Sequence, residues 1–132
     1  MRNQLVTDIP DHQLVRNLFD LVDEKLLPMI IYTDETFSYI EGVTSRGATA
    51  KKLTLEQMQQ AVATNRPDPI IEYVRLPTPR KTIKYMIVHE EGRIRNLPIN
   101  PIATRIVREC YAPVATVEIH GDVILMPGRR QV

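Results

Sequence analysis

The chain has 132 residues, 43% hydrophobic and 25% charged, values of one globular domain with a real core rather than of a disordered chain. No run approaches the roughly 18 consecutive apolar residues of a membrane span, and the opening MRNQLVTDIPDH lacks the apolar centre of a secretory signal. The single cysteine, Cys110, excludes an internal disulfide and suits a reducing compartment, so the expectation is a soluble, cytoplasmic protein without a membrane partner.

The net charge of +1 conceals an uneven distribution. Residues 1–50 carry four basic and eight acidic side chains, residues 51–132 thirteen and eight. Within 75–108, Arg75, Arg80, Lys81, Lys84, Arg93, Arg95, Arg105 and Arg108 stand against only Glu90 and Glu91. Such a split suits an anionic partner or self-association of unlike ends, and equally a solvated basic face.

In chain order, DHQLVRNLFDLVDEKLLP predicts an amphipathic helix, with Leu14, Val15, Leu18, Phe19, Val22 and Leu26 at helical spacing, Asp11 near the start and Pro28 beyond the end. MIIYT and TFSYIEGV predict a hairpin turning at Asp34-Glu35, and 44–52 (TSRGATAKK) reads as a mobile connection. Thr54 and Gln57 form a capping-box signature for a second helix whose stripe is Leu55, Met58 and Val62, stopped by Pro67 and Pro69. IIEYVRL and TIKYMIVHE predict two strands joined by PTPRK, and the nearly continuous YMIVH predicts an interior strand covered on both faces. EEGR reads as a turn with Gly92 at positive φ, and IRNLPI as a short extended piece. Asn100 and Pro101 suit the N-cap and first position of a third helix with Ile102, Ala103, Ile106, Val107 and Cys110 on its buried side. TVEI and DVILMP flank the turn HGD as a closing hairpin centred on Gly121, followed by a frayed GRRQV.

The order is helix–strand–strand three times, without residue-level similarity among the units. It predicts a single α+β domain with a mainly antiparallel sheet and about three helices packed on it.

Catalytic signatures are missing. There is no phosphate loop ending in Gly-Lys-Ser/Thr, no Gly-x-Gly-x-x-Gly and no His-Glu-x-x-His. With one cysteine and three scattered histidines, a zinc site would have to be assembled from distant positions. The nearest acid–base set, His89-Glu90-Glu91 with His120 and Asp122, is more economically two solvated turns, because consecutive strand residues alternate faces. Cys110, on an apolar stripe, reads as a buried and inert thiol. The expectation is therefore a non-enzymatic protein with no catalytic residue, metal or cofactor.

The sharper candidate is the junction EGRIRNLPINPIATR, residues 91–105. A helix starting after Asn100 presents unpaired N–H groups and a positive dipole end. Arg93, Arg95, Asn100, Arg105 and Arg108 would then make a seat for phosphate or carboxylate. The alternative is a capped helix with solvated arginines. Nucleic acid is a weaker anionic partner: Tyr73, Tyr85 and Tyr111 interleave with basic residues, but no nucleic-acid motif is present.

The ordered set TLEQMQQAV, IIEYVRL, YMIVHEEGRIRNLPINPIATRIVR and IHGDVILM resembles a small phage- and prophage-encoded family of uncharacterised function. The matching positions are Glu90, Glu91, Gly92, Leu97, Pro98, Asn100, Ala103, Thr104, Gly121 and Asp122, with His89 where that pattern more often has asparagine. The likeness spans about 53–127, leaving 1–50 as an acidic helix–hairpin elaboration of the single domain. It implies no catalytic residue. It does imply a phage accessory or counter-defence setting, and joined to the basic junction it makes binding of an anionic nucleotide-like ligand, extending to sequestration without cleavage, the first expectation, which needs only cations, a helix terminus and a stacking ring. A homo-oligomer would build such a pocket between subunits of so small a chain. The alternatives are an inhibitor docking on a host protein through its acidic N-terminal part or an exposed sheet edge, and a nucleic-acid-binding regulator.

Overall fold

The computed structural model describes residues 2–42, 53–62, 71–77, 82–91, 93, 95–111, 117–127 and 129–130. The expectations for 44–52, Pro67, Pro69, Arg80, Lys81 and Gly92 lie outside the described residues. The described chain runs β1 (Asn3–Gln4), α1 (Asp11–Lys25), β2 (Met29–Ile31), β3 (Thr36–Tyr39), α2 (Leu55–Val62), β4 (Ile71–Leu76), β5 (Thr82–His89), α3 (Pro101–Cys110), β6 (Val123–Leu125), β7 (Arg129–Arg130). All pairings are antiparallel, in the order β1-β3-β2-β6-β5-β4, with β7 also on β5. The α+β architecture expected from the sequence is the one observed.

Each helix follows from its local signals. The carbonyl of Pro10 opens α1 by accepting from the Gln13 and Leu14 amides. Leu26 closes it in the left-handed region (φ 56°), with its N–H on the Val22 carbonyl. Leu26 is therefore a C-cap and not the last residue of the apolar stripe. The α2 capping box forms as expected: Thr54 Oγ1 accepts from the Gln57 amide at 3.1 Å, and Gln57 Oε1 accepts from the Thr54 amide at 2.9 Å. Leu55, expected in its stripe, is 56% exposed, because the helix rests on the sheet through Met58 and Val62, with Ala61 partly buried beside them.

The β2–β3 hairpin turns at Asp34-Glu35 with Glu35 at φ 68°. β1, which the sequence reading did not foresee, adds two residues to the outer side of β3. β5 lies between β4 and β6, as its apolar run predicts. Alternation along the strands puts Met29, Ile31, Met86, Val88, Val123 and Leu125 under α1 and α3 in one core. Ile87 and Ile124 face the other way, against Met58 and Val62 of α2.

Residues 2–42 are not peripheral to this arrangement, since β2 pairs with β6 and α1 shares the core with α3.

The closing hairpin is not formed as expected. Residues 117–119 are not a strand; His120 instead bridges to Ile99, and Gly121 N–H bonds the Pro98 carbonyl. Hydrogen bonding to the approach of α3 outcompetes pairing with β6. Gly121 turns the chain at φ 86°, with the position of a Cβ only 2.9 Å from Leu97 Cδ1, so only glycine fits without displacing Leu97. Nor is the C-terminal segment simply frayed, because Arg129 and Arg130 pair with Ile83 and Thr82. From Met86 to Ile83 is three steps along β5, whereas their partners Leu125 and Arg129 are four apart. The register of β7 on β5 is thus offset by one residue from that of β6.

Candidate functional site

At the junction, Asn100 caps α3 with its Oδ1 accepting from the Ala103 amide at 3.0 Å. Its Nδ2 donates to the carbonyls of Ile31 (2.9 Å) and Gly121 (3.0 Å), and its own N–H bonds the Ile119 carbonyl at 2.7 Å. The residue is fully buried. Thr104 Oγ1, also buried, accepts from the Ile119 amide. The N-terminus of α3 is thus stitched to β2 and to residues 119–121.

Arg105 points the other way, to the N-terminal segment. It meets Asp11 Oδ1 at 2.6 Å and the carbonyls of Thr7 and Ile9, so all three guanidinium nitrogens are engaged. Arg95 forms an i,i+4 pair with Glu91 at 2.7 Å. Arg93 and Arg108 lie exposed. Of the five residues predicted for an anion seat, two are internal ties, one is paired and two are surface cations.

The histidines and acids do not assemble into a reaction centre. His89 Nδ1 accepts from the Glu91 amide, His120 Nδ1 donates to the Leu97 carbonyl, and Asp122 Oδ1 accepts from the Thr33 amide. Burial raises the Asp122 carboxyl above its ordinary range, partly offset by that hydrogen bond and by Arg2. Asp34 is held low by its hydrogen bond from the Thr36 hydroxyl, with Arg2 adding to the effect. Cys110 is partly buried rather than fully so, and its thiol is pushed up to about 11 by burial, then by Glu109. Among the described residues no three of His, Cys, Asp and Glu come together to hold a metal ion. No described helix is long and apolar enough to cross a membrane.

The open chemistry lies at the β4 edge. Met126 N–H donates to the Tyr85 carbonyl, so Tyr85 turns its peptide groups toward β6. Its partner Arg75 must then sit in a non-hydrogen-bonded pair, with its own N–H and C=O directed away from β5. The Tyr111 hydroxyl bonds that Arg75 carbonyl from the outside, which agrees. By alternation Ile71 and Tyr73 also point their peptide groups outward, and among the described residues no strand pairs there. Tyr73, 55% exposed, lies along this edge with its hydroxyl on Met58 Sδ, and Leu55 sits one turn earlier on α2.

The sequence reading had named Tyr73 and Tyr111 only as stacking rings. The usable signal was IIEYVRLP itself, which carries a charge on each face, Glu72 and Arg75, and ends in a proline, features found on edge strands. The opposite edge, β1, is only two residues long.

The chain matches no protein-family model, no curated protein and no solved structure.

Proposed function

We propose that the chain is a non-enzymatic binding protein that takes an extended segment of a partner protein as an added strand along the outer edge of β4. In the phage setting implied by the resemblance, the partner is a host protein and the effect is inhibition. The observation that carries this reading is the outward row of peptide groups at Ile71, Tyr73 and Arg75, on a six-residue strand that no described strand covers. Main-chain hydrogen bonds of this kind supply affinity, and the side chains beside them supply selectivity.

The reading replaces a phosphate-bearing small ligand as the first expectation, because Asn100 and Arg105 are occupied inside the fold.

The test is Tyr73→Pro. An outward N–H is outside the β4–β5 ladder, so proline removes a docking donor and leaves the sheet paired. Proteins that copurify with the tagged chain from the cell that makes it should be lost with Tyr73→Pro and kept with Tyr73→Phe, with circular dichroism unchanged for both. Equal recovery on the proline variant refutes docking at this edge.

A further inference from the structure

Resting on that reading, we infer that the segment received by β4 places a lysine or arginine opposite Glu72 between two apolar residues, and that a second copy of this chain is not the occupant. Because the Tyr111 hydroxyl holds the Arg75 carbonyl, the window whose two peptide groups are both open among the described residues runs from Ile71 to Tyr73. An antiparallel strand bonded at those two positions leaves Glu72 in the non-hydrogen-bonded pair between them, where opposed side chains come closest. Glu72 is exposed and pairs with apolar Val88 on its inner side, so no cation stands beside it in the ladder. A basic residue opposite it is favourable and an acidic one is not.

That same geometry decides against self-pairing. Two copies related by a twofold axis through this window set Glu72 against Glu72. Moving the axis to Tyr73 or Val74 brings into the added ladder the Arg75 carbonyl, which already accepts from the Tyr111 hydroxyl. On the opposite face, Tyr73, half-buried Ile71 and Leu55 of α2 offer apolar surface to the residues flanking the partner's cation.

The test uses the full chain and two blocked synthetic peptides of alternating valine and threonine, one with a central lysine and one with a central glutamate. Amide chemical shifts of Ile71 and Tyr73 are followed by NMR titration against wild type and Glu72→Lys. The lysine peptide is expected to bind wild type about two- to fivefold more tightly than the glutamate peptide, with the preference reversed in Glu72→Lys. Equal binding of both peptides at these amides overturns the basic-residue inference and leaves edge docking standing. No perturbation of these amides by either peptide overturns both. Sedimentation should find the wild type monomeric; a dimer abolished by Tyr73→Pro overturns the exclusion of a second copy.

Discussion

Replacing Asn100 by alanine separates a structural cap from an anion seat. The change deletes the helix cap, worth about 1 kcal/mol. It also strips a buried donor from the carbonyls of Ile31 and Gly121, each worth about 1 kcal/mol. The total is about 3 kcal/mol, a large part of the roughly 5–15 kcal/mol that holds a domain together. At this chain length it should lower Tm by about 10 °C. Urea unfolding followed by circular dichroism gives the value directly, with an unchanged slope confirming that the same transition is observed. Asn100→Ser should recover only the cap. Asn100→Asp should recover little, because it keeps the acceptor for Ala103 but turns a carboxylate oxygen on two carbonyls. Stability of Asn100→Ala within about 0.5 kcal/mol of wild type would refute this account, since a residue whose work is ligand binding tolerates truncation in the free protein.

Lys84 is fully buried beneath α1, with its ammonium 2.6 Å from Asp23 and 5.2 Å from the Phe19 ring centroid. Asp23→Ala leaves that charge without its carboxylate and should cost about 3 kcal/mol, while Asp23→Ala with Lys84→Met should regain most of it; chemical denaturation of the three variants measures the coupling. The two perturbed aspartates bend the acid limb of stability in opposite directions. Asp34, with its folded pKa depressed, contributes stability above its unfolded pKa that is lost as pH falls through the folded value. Asp122, with its folded pKa raised, disfavours the fold when ionised, and that cost disappears as pH falls below its unfolded pKa. Tm between pH 3 and 7 should therefore show Asp34→Asn less stable than wild type and Asp122→Asn more stable at neutral pH, with both differences shrinking toward pH 3.

Periodicity and caps made the helices legible. Thr54-x-x-Gln57 and Asn100-Pro101 are local devices whose geometry is complete within four residues, so they read correctly without tertiary knowledge. The apolar run in β5 read correctly too, since an interior strand must be apolar on both sides. What failed was pairing across distance. TVEI has strand composition, yet residues 119–121 are taken by the approach to α3, and only the three-dimensional position of Pro98, Ile99 and Asn100 decides that. β1 carries no apolar pattern at all, and its pairing with Phe37 and Thr36 is visible only in the sheet.

The cations of the junction were legible as residues and illegible as roles. Charge density in a sequence says that counter-charges or water must be near, not whether they come from a ligand or from the chain. For Arg105 the chain supplies them itself, through Asp11 and the carbonyls of Thr7 and Ile9, some 95 residues upstream. An arginine bonded at every nitrogen holds the N-terminal segment onto α3, and an asparagine bonded at every polar atom locks α3 to β2. With those groups engaged, the outward peptide groups of Ile71 and Tyr73 on the β4 edge are the ones that no strand pairs among the described residues. The two regions are connected at one point. Tyr111, the C-cap of α3, reaches the Arg75 carbonyl, so the helix that Asn100 fixes at its N-terminus also limits, at its C-terminal end, how much of β4 stays open.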